Sequence, residues 1–292
     1  MRRRQEKEGA CDFYEGVTPP LWEPFSYHYE IYEEKDNTEN ADSESIRYFN
    51  RLGLVAEADP AFDFCLIPGF CVPEWMKGAV IYQIYVDRFC RGNARTDVQT
   101  GEFCYLAGRQ SEHCEDWEEM PHPWDVNRFY GGDLPGGLEH VDELKSLGVV
   151  APYFNPLFVS PSNHKYDTQD YDHIDPHLTV IPEDKGRLLY PTEADNRNAE
   201  RYRKRTTDPV NLEASDAYFA HFIEEAHRRG IRVIMDGVFN HCGSFHKWMN
   251  REQLYRAENG YAEGAFSSAN SPYREYFRFD ADGRYECWWG HE

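Results

Sequence analysis

Residues 231–241 read Ile-Arg-Val-Ile-Met-Asp-Gly-Val-Phe-Asn-His. A short apolar run, Ile231 to Met235, meets polar groups at once: Asp236, then Asn240 and His241. A helix-patterned stretch and Gly230 precede it, which is the context of a buried parallel strand. The polar residues then fall at the strand's C-terminal end, where a parallel α/β barrel assembles its chemistry. The same pattern also suits a strand end whose Asp and Asn cap a turn. One motif does not choose between these readings.

Upstream the same unit recurs. The spacing predicts a helix from about Ser215 to Arg229, buried through Phe219, Phe222, Ile223 and Ala226 and closed by Gly230. Before it, 155–211 reads as a long polar connection, and its strongly charged second half, 183–208, reads as a surface excursion. Val149–Phe154 reads as a strand, with Pro152 inside it as an anomaly beyond a bulge. Leu138, Val141, Leu144 and Leu147 predict an amphipathic helix capped by Gly148. Residues 79–86 read as a further buried strand, followed by a long loop over 90–130. The order strand–helix–strand–helix–strand implies parallel crossovers. Three such strands fall short of the eight that close a barrel. Ahead of them, 25–31, Ser45–Phe49 and Phe62–Ile67 alternate as half-buried strands of a small β unit.

Composition narrows the partners. The chain has 292 residues, 40% hydrophobic and 15% aromatic, enough for a core. Its formal charge of −21 argues against nucleic acid and anionic membranes and is compatible with a neutral ligand. No run approaches a membrane span, and MRRRQEKEGA lacks the apolar region of a secretory signal. The eight cysteines therefore read as reduced thiols of a cytoplasmic protein. A zinc site from Cys90, Cys104, Cys114 and His122 is the weaker reading, because no two Cys stand two to four residues apart.

Four segments, in this order, carry a resemblance: Trp75–Phe89 (WMKGAVIYQIYVDRF), Phe129–Leu134 (FYGGDL), Asn155–Asp172 (NPLFVSPSNHKYDTQDYD) and Asp236–His241 (DGVFNH). Together they resemble the α-amylase superfamily, glycoside hydrolase family 13, and most closely its neopullulanase/cyclomaltodextrinase branch. The resemblance implies an α/β fold: the first three strands of a (β/α)8 TIM barrel, truncated, preceded by a small partial β module. The expected division is 1–73 for a starch-binding-like β module, 74–244 for the first half of the barrel, and 245–292 for the start of the excursion after the third strand.

The resemblance also implies roles. His241 would hydrogen-bond the sugar being cleaved. Tyr166 would stack on that sugar, with His164 beside it. Asp236 would hold the local polar network, and Asn240 would brace the loop or, as in some relatives, bind calcium. Sugars offer a CH face to an aromatic ring and hydroxyls to His and Asp, so the residue types fit. A calcium site is implied at Asn93, Asp97, Gly131 and Asp133, with Arg91 and Thr96 at matching positions. Here Arg91 stands where the family has Asn, and Asn93 where it has Asp; calcium wants six to eight oxygens. The family's reaction, retaining glycoside hydrolysis, needs two carboxylates about 5–5.5 Å apart. In the family these follow later strands, and no Gly-x-Arg-x-Asp segment occurs here.

The expectation is therefore the N-terminal part of an α-glucan hydrolase acting on maltodextrin, cyclomaltodextrin or pullulan, inactive as this chain alone. The alternative is a non-catalytic carbohydrate-binding protein, or one half of a split enzyme. In the resembled branch dimers form through the N-terminal module, so a homodimer of the full-length protein is also implied.

Overall fold

The computed structural model describes residues 2–3 by backbone alone, and residues 13–32 and 46–287 in full. Ser45 lies outside that range. The chain divides into two compact units, Met1–Lys77 and Gly78–Glu292.

The first unit is antiparallel. Tyr29–Tyr32 pairs with Ile46–Asn50, which turns through Gly53 (φ +92°) into Gly53–Val55. Phe25–Tyr27 pairs with Phe64–Leu66. The stretch 25–31, expected as one strand, is thus two short ones broken at His28. His28 Nδ1 instead meets Asp63 Oδ1 at 2.9 Å. Tyr27, Tyr29, Phe49 and Phe64 interlock with centroids 5.4–6.2 Å apart as a partly exposed aromatic cluster.

The second unit carries a three-stranded parallel sheet: β1 (Val80–Ile84), β2 (Val149–Phe154) and β3 (Ile234–Met235), with β2 in the centre. Between β1 and β2 lie α1 (Leu134–Glu139) and α2 (Val141–Ser146); between β2 and β3 lie α3 (Glu200–Thr207) and α4 (Pro209–Arg228). The α/β class is the one expected. Apolar side chains of strands and helices meet in one core of Ile84, Leu134, Leu144, Phe154, Phe222 and Ile231, with the Phe154 and Phe222 rings edge to face at 5.4 Å.

Pro152 finds its explanation in the ladder. The register between β1 and β2 shifts between Val149 and Ala151, a bulge one residue upstream. The carbonyls of Val150 and Phe154 accept from Arg232 and Asp236 N–H, so even-numbered residues of β2 turn toward β3. The missing N–H of Pro152 therefore faces a partner that keeps regular register over only two residues.

The helices correct the sequence in three places. The single helix through Leu138–Leu147 is two short ones, parted at His140 (φ −97°, ψ 1°). The Gly-Gly pairs explain its first turn. A Cβ on Gly132 would stand 1.9 Å from Val86 O, and one on Gly136 2.5 Å from Cys90 O, so the backbone after β1 rests directly on α1. Helix α4 starts six residues before the expected Ser215, because Asp208 caps Val210 N–H at 3.0 Å and Pro209 sits in the first turn. The stretch 183–208 is not a surface excursion throughout. It contains α3, whose Tyr202, Arg205, Thr206 and Thr207 are buried.

Those residues belong to a second core. Phe103, Phe129, Leu189, Tyr202, Phe245 and Leu254 pack together, with Phe103 and Tyr202 centroids only 4.2 Å apart. It draws on the loop after β1, the stretch before α3, and the irregular segment after His241. Among the described residues no helix is long and apolar enough to cross a membrane.

Candidate functional site

Asp236 is the first residue past β3, and its N–H donates to Phe154 O at 3.1 Å. That bond fixes the carboxylate at the C-terminal edge of the sheet. Its Oδ2 accepts from Tyr166 Oη at 3.0 Å. Burial first, then this bond to Asp236, pushes the Tyr166 hydroxyl up to about 12, so it stays a donor at neutral pH. Burial first, and then the nearby Asp236 carboxylate, also raise the hydroxyl of Tyr153 on β2.

His241 closes the loop from the other side. Its Nε2 lies 3.1 Å from Tyr166 O and its Nδ1 lies 2.8 Å from Asn240 Nδ2. The ring thus faces a carbonyl at Nε2 and an amide group at Nδ1, which fix its orientation. Tyr171 Oη bonds Val238 O at 2.6 Å and also reaches His241 O, pinning 238–241 from below. His164 Nδ1 accepts from Tyr166 N–H at 3.1 Å, and its ring stands 5.9 Å from that of Tyr166. Burial holds the His164 ring below the ordinary histidine range, that is, neutral.

The five expected residues are thus one assembly. His164, Tyr166, Asn240 and His241 line a cleft of about 1700 Å³, and Asp236 is bonded to Tyr166 at its edge. Sequence reasoning missed the rest of the lining. Tyr171, Phe239, Trp248 and Tyr276 form an aromatic wall, with Tyr171–Phe239 centroids 6.2 Å and Trp248–Tyr276 5.2 Å apart. Phe239 is 83% exposed. Trp248 and Tyr276 come from the twelve aromatics after His241, which no period ties to one surface, and Tyr171 and Phe239 lie upstream of them. Asp167 lines the cleft too. Its Oδ1 accepts from Ser160 Oγ at 2.6 Å and from Ser162 Oγ, while its Oδ2 has no donor aligned on it.

Between His164 and Tyr166, Lys165 takes φ +63° and turns inward. Its Nζ bonds Ser160 O at 2.9 Å and Asp175 Oδ2 at 2.6 Å. Asp175 Oδ1 meets His177 Nδ1 at 2.7 Å, and His177 Nε2 meets Glu102 Oε1 at 2.8 Å. Glu102 Oε2 accepts from Arg205 Nη1 at 2.9 Å, and Arg205 also pairs with Asp184. With a carboxylate at each nitrogen His177 is an imidazolium. Burial opposes that charge, and Glu102 and Asp175 outweigh it and raise the ring above the ordinary range.

The implied calcium residues sit together at the loop after β1. Asp133 caps α1: its oxygens take N–H groups of Gly92 (2.9 Å), Asn93 (2.6 Å) and Gly136 (2.7 Å). Asn93 Nδ2 donates to Thr96 Oγ1 and Thr179 O. Arg91 ion-pairs with the Asp97 carboxylate, and Gly131 (φ +81°) lies against it. As arranged, these atoms are already bonded to one another and to a guanidinium, and they do not form the oxygen cage calcium needs. Among the described residues no three His, Cys, Asp or Glu side chains converge as metal ligands.

The family "Alpha amylase, catalytic domain" matches residues 83–183 and 214–289, more than half of the chain. An amylopullulanase of Thermoanaerobacterium saccharolyticum is 34% identical over 238 residues, covering 76% of this chain and 16% of that protein. Neopullulanase 2 of Thermoactinomyces vulgaris is 35% identical over 201 residues, 67% of this chain and 26% of that protein. The type III pullulan hydrolase from Thermococcus kodakarensis aligns with a TM-score of 0.52 at 26% identity, over 85% of this chain and 38% of that one. The chain thus spans well under half the length of each of these relatives. These relatives are glycosidases acting on O-glycosyl bonds. On this match the chain belongs to the alpha-amylase catalytic-domain family.

Proposed function

We propose that this chain supplies the first three barrel strands and the substrate-facing wall of a retaining α-glucan hydrolase of the cytoplasm. Its cleft would take a neutral α-glucan oligosaccharide of the maltodextrin, cyclomaltodextrin or pullulan type. One observation carries the reading: Tyr166, Asp236 and His241 interlock at the C-terminal edge of three parallel strands, beside an exposed aromatic wall. A sugar ring would lie on Tyr166, and the cleft-lining His164 and His241 would meet its hydroxyls. The names of the relatives, pullulanases among them, support the substrate class.

The chemistry needs a carboxylate pair about 5–5.5 Å apart. Asp236 accepts from Tyr166 beside Tyr153 and serves as an organiser in this reading, not as the nucleophile. The sheet supports the further strands that would bring such a pair. Val80, Ile81, Tyr82 and Met235 are exposed on strands of parallel type, which elsewhere are covered on both faces. Those strands would come from the same protein or from a second polypeptide; in the second case this is half of a split enzyme.

Affinity electrophoresis tests the substrate class. The chain should be retarded in gels containing pullulan or amylopectin and not in gels containing cellulose derivatives, and it should release no reducing sugar from maltodextrin. Equal mobility in all gels would contradict the proposed cleft.

A further inference from the structure

Asp97 is a carboxylate taken out of water: its side chain is 1% exposed. Burial pushes its acid range up, and the charge of Arg91 works against that push. No N–H is aligned on Oδ2. The Arg91 guanidinium is in contact with the carboxylate, His113 Nε2 stands 3.8 Å away, and Arg205 Nη1 donates to the Asp97 carbonyl at 2.9 Å. A buried carboxylate needs a counter-charge, and Arg91 is the cation in direct contact with its oxygens.

That cation sits at a corner where chain segments meet. Arg91 and Asp97 bracket the first turn of the loop after β1. The Asp97 oxygens press on Gly131, where an added Cβ would stand 2.8 Å from Oδ1. From the same loop Gly92 and Asn93 donate to Asp133, two residues on. Asn93 Nδ2 and Thr96 Oγ1 both donate to Thr179 O, at 3.1 and 2.8 Å. The remaining oxygens are therefore taken by internal donors. The one charge not supplied by the backbone is the one Arg91 brings.

We propose that the Arg91 guanidinium stands in place of a bound divalent cation, neutralising Asp97 and fixing the loop after β1, so that this corner holds without calcium. Replacing Arg91 by Asn would remove the charge, add an oxygen donor and leave Asp97 buried beside Asp133. That change should convert a calcium-indifferent corner into a calcium-responsive one.

The test uses the full chain and needs no activity. Thermal unfolding is followed with added calcium and with chelator, alongside calorimetric titration with calcium alone. The wild type should melt at one temperature in both conditions and give no saturable calcium heat. Arg91→Asn should melt about 5 °C or more below it in chelator and recover part of the loss with calcium. Arg91→Lys, which keeps the charge, should stay near the wild type and ignore calcium; it serves if the Asn variant does not fold. Calcium raising the wild-type midpoint, with saturable binding abolished in Asp97→Asn, would overturn the proposal. So would an Arg91→Asn protein as stable in chelator as the wild type.

Discussion

The segment 160–178 serves two polar networks that differ in kind. The inner one runs Lys165–Asp175–His177–Glu102–Arg205, and these side chains are all but sealed from solvent, 0–5% exposed. Donors and acceptors alternate, and each charge meets an opposite one. The outer one, His164–Tyr166–Asp236–His241, is bonded just enough to hold its geometry and leaves ring faces open to the cleft. Closed networks specify packing; open ones are left to recognise something else. Lys165, at positive φ, is the switch in direction between them.

The largest effect should come from breaking the inner network. Arg205→Met strands Glu102 and Asp184, and a buried pair broken on one side costs about 3–5 kcal/mol. Denaturant unfolding reads this, and the same method on Tyr166 variants should show far less.

His177 gives the inner network a pH signature. Its folded pKa is raised, so its contribution is fully present below the unfolded histidine range and is lost as pH rises through the folded value. The carboxylates work in reverse: Asp175 and Glu102 are held below their ordinary ranges, despite burial, by Lys165 and His177 and by His177 and Arg205 respectively. Their contribution is lost in acid. Urea midpoints should therefore fall on both sides, and His177→Gln should remove the alkaline slope while costing about 2 kcal/mol at neutral pH.

The outer network is predicted to behave oppositely. Tyr166→Phe removes the hydroxyl on Asp236 and should cost about 1 kcal/mol of stability, while keeping most glucan affinity through the ring. The smallest stability effect belongs to Phe239→Ala. An 83% exposed ring should change unfolding by less than about 0.5 kcal/mol, yet weaken binding of a long glucan, as calorimetry would show.

The contrast also explains what the sequence disclosed. The Ile231–Met235 run, Gly148 and Gly230 are local signals that marked strand positions and helix ends, although only Ile234–Met235 of the strand expected over 231–236 joins the ladder; the Tyr166–Asp236–His241 grouping came with the family resemblance. Helix α3 was hidden because Glu200–Thr207 is almost wholly polar, and its burial depends on Glu102 about a hundred residues away. The early start of α4 was written in Asp208-Pro209 and masked by surrounding charge. The aromatic wall was visible as composition only; Tyr171, Phe239 and Trp248 meet through tertiary packing that no period announces. The Arg91 departure was legible, and its pairing with Asp97 needed the fold.

The most direct measurement is calorimetric titration of the intact chain with maltoheptaose, repeated on Tyr166→Ala and on Arg205→Met at a temperature where circular dichroism shows it folded. The account predicts saturable binding by the wild type, loss in Tyr166→Ala without loss of fold, and retention in Arg205→Met. No saturable binding by the wild type, or undiminished binding by Tyr166→Ala, would contradict the assignment of the open network to α-glucan recognition.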